Sequence, residues 1–466
     1  MKTLLGVDVG TTSLKMVLFD ENGNALKTVS KSYTLDSRGD RVEFDPEQYW
    51  EMFSVAYRQV KEEYEVTALA IDTQCETLIV TDENGKALYN AIVWLDNRAT
   101  AEAEAIDAAF GVKQVYEVTG QPEITATWPA CKLLWLKNNE PEVFAGIKKI
   151  FLLEDYLLYR LTGQFVTEKT LQSSSLYLDI RSGSWWKEML DFIGITEEQL
   201  PALHGSAEKL GTYDGTVVVT GIMDQIAGAI GAGVTHRSVT SEMTGTTMAI
   251  VAPADAMPAY QEGSRVPCHV NYDGKYCLLT WTPTAGIAQK WFKENFCEGM
   301  SFNDLNALAA KVPAGCSGLT FMPYLCGSII PKYNPDARGA FLGLTMEHTR
   351  GHFVRAIQES VAFMLREHLE YLGVNCAQIR STGGGAASDL WCQIKADVTG
   401  KTIVTLKNAE AACLGTAIVA GVGAGIYESV CDASRLLVQT DRVFTPSGES
   451  YEEAFARYLK YVEEMV

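Results

Sequence analysis

Two short turns rich in glycine and threonine carry the first residue types that suit phosphate chemistry. Their members are Gly10, Thr11, Thr12 and Ser13 in the first turn, and Gly245, Thr246 and Thr247 in the second. Glycine lets the backbone turn tightly and approach a ligand closely, and exposed N–H groups beside hydroxyl donors form a nest for an anion. A plain hairpin turn is the alternative for each. Neither turn matches G-x-x-x-x-G-K-[ST], so a P-loop fold is not expected.

A third glycine-rich segment runs from 381 to 388 and precedes an apolar pattern that predicts a helix. A glycine turn that enters a helix N-terminus suits a nucleotide, because the unpaired N–H groups there favour an anion. The candidate residues are Gly384, Gly385 and Ser388. A tight strand-to-helix turn without a ligand is the alternative.

Two aspartates, Asp8 and Asp224, each follow an apolar predicted strand and suit different tasks. Asp8 could hold Mg²⁺ through water, since magnesium usually keeps several of its waters. Asp224 stands where a helix is predicted to begin, so an N-cap is the alternative to a catalytic role. None of the six histidines lies in a candidate motif. If the chemistry needs a general base, a carboxylate must supply it.

The candidates for binding a polyhydroxylated ligand lie at or after the end of an apolar strand. They are Gln74, Cys75, Glu76, Trp94 and Asp96. A buried glutamate is costly unless it is hydrogen-bonded, and carboxylate oxygens can accept from a diol. An internal Asp96–Arg98 or Glu–Arg ion pair on a solvated turn is the alternative for the later residues.

The composition is that of an ordinary globular protein. The 466 residues are 47% hydrophobic and 21% charged, which excludes disordered, collagen-like and coiled-coil classes. A net charge of -19 argues against nucleic acid or anionic membrane as a general partner. The eleven cysteines are scattered without a C-x-x-C pair, so they favour free thiols in a reducing cytoplasm over a zinc site.

The elements that must position these residues follow a pattern that recurs in both halves of the chain. Each half contains a strand, a Gly-Thr-Thr turn and another strand, followed by further strands and helices. This faint repetition predicts two similar α/β domains with a cleft between them. The expected domains are 1–236 and 237–466, with the boundary in a stretch that has no Pro/Ser-rich linker.

Taken together, these segments resemble the FGGY carbohydrate kinases, the family of glycerol kinase, xylulokinase and gluconate kinase. The resemblance runs over nearly the whole chain and depends on the order and spacing of its segments. They are GVDVGTTSLKMVLFD, EDYLLYRLTG, GIMDQIAGAIGAG, SEMTGTTMAI, GAFLGLT, STGGGAASDLWCQIKADVTGK and EAACLGTAIVAG.

The resemblance implies two actin-like ATPase (ribonuclease-H-like) domains with ATP and a sugar in the cleft. It implies Asp224 as general base, Mg²⁺ near Asp8, and phosphate contacts from Thr11, Thr12 and Thr246. Nucleotide contacts are expected from Gly286, Gly384, Gly385 and Ser388, and sugar contacts from Gln74, Cys75, Glu76, Trp94, Asp96 and Gln225. The N-terminal domain would then bind the sugar and the C-terminal domain the nucleotide. A cytoplasmic enzyme is expected. Relatives in the family are often dimers or tetramers, of which the homodimer is the candidate here, although no residue locates an interface.

The substrate is predicted from the segment Gln-Cys-Glu-Thr at 74–77. At the positions that align with 74–77, glycerol kinases carry Gln-Arg-Glu-Thr and xylulokinases carry Gln-Met-His-Gly. The missing arginine, and Thr127 where glycerol kinases have a tyrosine, leave room for a longer ligand such as a pentulose. Glycerol or tetritol kinase is the alternative. A non-catalytic actin-like nucleotide switch, or a regulatory protein that binds a polyol, is the remote one.

Overall fold

The computed structural model describes residues 2–466 and divides the chain into two compact units. The first unit comprises residues 1–235, 254–277 and 410–438, and the second comprises 236–253, 278–409 and 439–466. The first division therefore falls beside the boundary predicted at 236. Two later segments of the chain, 254–277 and 410–438, nevertheless pack with the first unit.

The strands that the structure describes are β1 Thr3–Val9, β2 Ser13–Asp20, β3 Ala25–Ser32, β4 Asp36–Arg38, β5 Arg41–Phe44, β6 Ala68–Thr73, β7 Leu78–Thr81, β8 Ala91–Ile92, β9 Lys149–Leu152, β10 Val166–Glu168, β11 Leu178–Asp179, β12 Ser184–Trp185, β13 Ala202–His204, β14 Lys209–Tyr213, β15 Thr216–Val219, β16 Val239–Thr244, β17 Met248–Ala254, β18 Cys268–Val270, β19 Tyr276–Thr282, β20 Thr320–Met322, β21 Ala340–Leu342, β22 Gln378–Thr382, β23 Thr402–Leu406 and β24 Thr440–Phe444.

The helices are α1 Pro46–Lys61, α2 Thr100–Thr119, α3 Pro129–Asn139, α4 Pro141–Gly146, α5 Leu153–Thr162, α6 Lys169–Gln172, α7 Lys187–Ile193, α8 Asp224–Gly231, α9 Gly286–Phe296, α10 Phe302–Ala309, α11 Arg350–Tyr371, α12 Asp389–Thr399, α13 Ala411–Gly423, α14 Val430–Leu437 and α15 Glu452–Met465.

The main sheet of the first unit has the strand order β14-β15-β6-β1-β2-β3. Strand β1 is antiparallel to β2 and parallel to β6, and β6 is parallel to β15. β1 is almost entirely buried, as its continuous apolar run predicts. In the β1–β6 register Asp8 lies opposite Asp72, so the sheet brings two carboxyl groups together at one position.

The second unit repeats this arrangement with strands in the order β17-β16-β22-β23. β16 is antiparallel to β17 and parallel to β22, which is parallel to β23. Each unit therefore begins with a hairpin whose first strand also pairs with a parallel strand. This shared topology confirms the prediction of two α/β domains of the ribonuclease-H type.

Both Gly-Thr-Thr segments form the tight hairpin turns that the sequence predicts. Gly10 N donates to Ser13 O at 3.0 Å, and Gly245 N donates to Thr247 O at 2.9 Å. The glycine segment before α12 likewise leads from β22 into a helix, and Ser388 caps that helix by accepting from Trp391 N. The hairpin itself is thus present at each turn, and ligand binding there depends on what surrounds it.

Glycines bring helices α8 and α13 into backbone contact within the first unit. A Cβ atom at Gly415 would lie 1.9 Å from Ala227 O, and one at Gly231 would lie 1.8 Å from Ala411 O. A Cβ atom at Gly6 of β1 would similarly lie 1.8 Å from Cys413 O. Because this close packing holds α13 against β1 and α8, the segment 410–438 belongs to the first unit.

Candidate active site

Asp8 and Asp72 form a buried carboxyl pair at the β1–β6 register. Burial raises the pKa of Asp8 to about 6, and the nearby Lys15 lowers it. Burial and the charge of Asp8 raise the pKa of Asp72 well above its ordinary value, and Thr416 donates to Oδ2 of Asp72. The other Asp72 oxygen, Oδ1, is buried without a partner in the described chain. Both carboxyl groups therefore hold their protons more tightly than an ordinary aspartate.

Asp224 is the first residue of α8, and Met223 occupies the N-cap position. Asp224 thus lies one residue inside the N-cap position that the alternative gave it, although its side chain still bonds an N–H of the first turn. Its Oδ1 accepts from Gln225 N at 2.6 Å and from the Cys75 thiol at 3.4 Å. Burial and the charge of Asp8 raise the pKa of Asp224 to about 6. This carboxylate is ionised at neutral pH and is a stronger base than an ordinary aspartate.

Glu76 lies beside a fully buried lysine from α3. Lys132 Nζ donates to the backbone oxygens of Glu76 and Val93, at 2.7 and 3.0 Å. Burial lowers the pKa of Lys132 to about 7 and raises that of Glu76 to about 7. The attraction between the two opposite charges partly offsets both shifts.

Gln74 has one side-chain atom free for a ligand. Its amide nitrogen donates to Tyr49, whereas its Oε1 is buried without a partner in residues 2–466.

The first Gly-Thr-Thr turn, at residues 10–12, accepts hydrogen bonds from two aromatic side chains. Trp94 Nε1 donates to Thr11 Oγ1 at 2.9 Å, and the Tyr33 hydroxyl donates to Gly10 O. Trp94 therefore lies next to the turn, while Thr12 at its tip is exposed. The predicted contact of Trp94 with the sugar remains a prediction.

Asp96 is completely buried in an ion pair with Arg98. Arg98 donates from Nε to Oδ1 at 2.8 Å and from Nη2 to Oδ2 at 2.7 Å, and Val42 N donates to Oδ2 at 2.6 Å. The ion pair that the sequence offered as the alternative is present, but it is buried rather than on a solvated turn. Both oxygens of Asp96 hold the fold, and its contact with a sugar stays an untested prediction.

A cavity of about 300 Å³ in the second unit gathers six of the predicted nucleotide residues, whereas Thr247 is not part of its lining and Gly10, Thr11, Thr12 and Ser13 belong to the first unit. Its lining includes Gly245, Thr246, Gly286, Gly384, Gly385 and Ser388. Gly286 N donates to Gly245 O at 2.9 Å, and a Cβ atom at Gly286 would lie 2.3 Å from that oxygen. Only glycine permits this approach, so the second phosphate turn and the start of α9 form one continuous wall.

Several residues of this cavity carried no recognisable signal in the sequence. They are Ile287, Gln289, Lys290, Phe302, Asn303, Asn306 and Trp391. Two further lining residues do lie in predicted segments, Ala387 within 381–388 and Thr244 directly before the second Gly-Thr-Thr turn. Gln358 Nε2 donates to Asn306 Oδ1 at 2.8 Å and orients that amide beside the cavity. Asp72 and Lys132 were missed in the first unit, although Asp72 ends an apolar strand just as Asp8 does.

The residues of the first unit suit a hard cation. Asp8 and Asp72 offer carboxylate oxygens, which Mg²⁺ prefers together with water and substrate phosphates. The Cys413 thiol lies near both, but burial raises its pKa well above the ordinary value, so it is not a thiolate donor. Oδ1 of Asp72 has no partner in the described chain, which leaves a ligand position open. Within residues 2–466 no three His, Cys, Asp or Glu side chains form a complete metal site.

Comparison with known proteins agrees with this geometry, which defines an actin-like ATPase-type protein. The chain matches the model of the FGGY family of carbohydrate kinases, N-terminal domain, over residues 3–239, and the C-terminal domain of that family over 269–424. It is 30% identical over 484 residues to a xylulose kinase of Lactococcus lactis, covering 98% of this chain and 95% of the relative. It is 29% identical over 479 residues to a gluconokinase of Bacillus subtilis, covering 97% and 93%.

A solved structure shows the same fold. The ligand-bound xylulose kinase of Lactobacillus acidophilus has a TM-score of 0.91 to this chain at 28% identity, covering 100% of this chain and 98% of that one. The chain belongs to the FGGY family of carbohydrate kinases, and it is a phosphotransferase that acts on a carbohydrate. Across residues 2–466, no helix is both long and apolar enough to traverse a bilayer.

Proposed function

We propose that this protein transfers the γ-phosphate of ATP to a hydroxyl group of a pentulose, as a xylulose kinase does. The observation that carries the proposal is the state of Asp224. Its Oδ1 is held by two donors, and its pKa of about 6 leaves the carboxylate ionised at neutral pH. An ionised carboxylate can orient an alcohol and accept its proton as the bond to phosphorus forms.

The nucleotide is assigned to the cavity of the second unit. Backbone N–H groups of the 245–247 turn and the start of α9 suit the phosphates, and the adjacent glycine segment suits the nucleoside. Thr11, Thr12 and Ser13 are proposed to contact the transferring phosphate. Mg²⁺ held by Asp8 would neutralise phosphate charge when it is bound. The division of labour between domains 1–236 and 237–466 is part of this proposal.

An uncharged sugar fits the first unit better than an aldonate. Relatives include both xylulose kinases and gluconokinases, so charge is the property that separates the candidates. Asp8, Asp224 and Glu76 are acidic, and the buried Lys132 directs its donors at the backbone oxygens of Glu76 and Val93. A carboxylate on the substrate would be repelled here, because like charges at short range are costly.

A substrate panel tests the proposal. Purified protein with ATP and Mg²⁺ is given D-xylulose, D-ribulose, glycerol, erythritol or gluconate, and ADP release is followed. We expect turnover with a pentulose at a kcat/KM at least tenfold above those for glycerol and gluconate. Preference for glycerol or erythritol would instead establish the shorter polyol kinase.

The same panel separates a kinase from a nucleotide switch. A switch would be stabilised against heat by ADP and would respond to none of the sugars, since only a ligand that binds the native state raises its stability. A kinase is stabilised by its sugar as well. ADP stabilisation with no sugar response and no turnover would contradict the kinase proposal.

We further propose a cytoplasmic location and a homodimer. All eleven cysteines are free in the structure, which suits a reducing compartment. Acidic surface charge makes nucleic acid an unsuitable partner. Light scattering on the purified chain tests the dimer, and a mass of one chain, 51.1 kDa, would contradict it.

A further inference from the structure

A completely buried ion pair lies behind the cavity of the second unit. Lys395 Nζ donates to Glu242 Oε1 at 2.6 Å, and both side chains have 0% exposure. Lys395 also donates to Thr244 Oγ1 at 3.0 Å, and Thr244 Oγ1 donates to Glu242 Oε2 at 2.6 Å. Ser381 adds a hydrogen bond to Glu242 Oε1. The four side chains form a closed polar network within one unit.

The network joins the three segments that build the cavity. Glu242 and Thr244 end β16 just before the 245–247 turn, and Ser381 lies on β22 just before the glycine segment 383–385. Lys395 lies on α12, whose N-cap is Ser388. Each segment contributes residues to the cavity lining. No member of the pair reaches the ligand space itself, because both are completely buried.

The two turns meet at van der Waals distance above this pair. A Cβ atom at Gly385 would lie 2.7 Å from the Thr244 Cβ and 3.3 Å from Lys395 Nζ, and one at Gly383 would lie 2.6 Å from Thr244 O. Gly383 also has a φ of 74°, which favours glycine. The atoms of Thr244 and of the Lys395 side chain are thus those against which the glycine segment packs.

Stability alone does not account for such a pair. Two buried charges lose their hydration, and hydrophobic residues of similar size are often as stabilising. What the pair and its hydrogen bonds add is a single geometry, since the lysine must satisfy the glutamate and the threonine at once.

We propose that Lys395 and Glu242 are positioning residues that hold the 245–247 turn and the 383–385 segment at the spacing a nucleotide requires. This inference rests on the proposed binding of ATP in that cavity. Its consequence is selective: loss of the pair weakens the binding of ATP and ADP and leaves the affinity for the sugar unchanged.

The test uses the double variant Glu242→Gln/Lys395→Met in the full chain. Lys395→Met alone leaves an unpaired buried charge and can fail to fold, whereas the double variant removes both charges. We expect calorimetric titration with ADP to give a Kd raised roughly tenfold, which corresponds to about 1.4 kcal/mol. The KM for ATP should rise by a similar factor, while the sugar KM and the kcat at saturating ATP stay within about twofold.

Arg355→Met/Glu359→Gln is the matched control. It removes both charges of the buried Arg355–Glu359 pair of the same unit, which lies outside the cavity lining. The control should lower the melting temperature without changing the ADP Kd. A double variant that binds ADP as tightly as the wild type would overturn the inference and leave the kinase proposal intact.

The wild type keeps the two proposals distinguishable. Wild-type protein that binds ADP but phosphorylates no sugar would refute the proposed function, and the ADP titrations would still decide the role of the pair. Wild-type protein that binds no ADP would refute both.

Discussion

At the scale of single residues, Asp224 is arranged asymmetrically. Gln225 N and the Cys75 thiol both donate to Oδ1, whereas the structure describes no donor to Oδ2. The second oxygen is thereby left for an alcohol. A thiol at position 75 orients the base without adding charge, whereas an arginine at this position would add a positive charge.

The pH dependence of catalysis follows from this arrangement. Because the pKa of Asp224 is raised to about 6, the base is protonated below that pH, and kcat/KM should fall about tenfold per pH unit there. The Cys75 thiol lowers this pKa by donating to the carboxylate. Cys75→Val should therefore move the acidic limb of the profile to higher pH, and Cys75→Ser, which keeps a donor, should not. Superimposable limbs for the two variants would contradict the role of the thiol.

At the scale of elements, the position of Asp224 depends on how closely α8 packs on α13. The contact is made by backbone atoms, because glycines face each other across the two helices. Such contacts are sensitive to a single methyl group. The base is held in place by packing one or two turns along its helix.

Two glycine substitutions of the same size test this packing. Gly415→Ala places a Cβ atom 1.9 Å from Ala227 O, and we expect a loss of about 1–3 kcal/mol in unfolding free energy with a fall in kcat. Gly228→Ala, on the partner helix α8, meets open space and should gain up to about 1 kcal/mol from helix propensity. Urea unfolding and steady-state kinetics measure both. Equal stability for the two variants would contradict the packing argument.

At the scale of the whole molecule, local signals predicted the architecture and long-range contacts decided the rest. The hairpin turns, and the helix after the glycine segment, were predicted from apolar runs and glycines that lie within a few residues of each other. Asp72 was missed because its importance depends on the β1–β6 register, which no local pattern reveals. Lys395 resembles any lysine of an amphipathic helix until β16 and β22 surround it. The first-unit packing of 254–277 and 410–438 is likewise a matter of tertiary contact.

Buried acids also shape the stability of the whole fold. Burial raises the pKa of Glu367 on α11 to about 8 from 4.5, so the folded state binds one more proton than the unfolded state between those values. Stability is fully present below about pH 4.5 and declines as the pH rises to about 8. Glu367→Gln removes the titration, and its gain in unfolding free energy should grow from near zero at pH 4.5 to about 4 kcal/mol at pH 8.

An exposed glutamate of the same helix provides the control. Glu370→Gln breaks a surface ion pair with Arg366 and removes a neighbouring charge that raises the pKa of Glu367 less than burial does, so its effect should stay below about 1 kcal/mol at every pH. Urea unfolding at intervals from pH 4.5 to 9 measures both variants. Parallel stability curves for the wild type and Glu367→Gln would show that this carboxyl group titrates normally.

The central claim is that Asp224 serves as the base in phosphoryl transfer from ATP to a sugar. The most direct measurement compares the transfer of labelled γ-phosphate to D-xylulose by the wild type, by Asp224→Asn, and by Asp432→Asn, which alters an exposed aspartate in the first turn of α14. We expect Asp224→Asn to lose at least about a hundredfold in kcat while its ADP Kd stays within about threefold, and Asp432→Asn to match the wild type. An Asp224→Asn enzyme that retains most of its turnover would contradict the account.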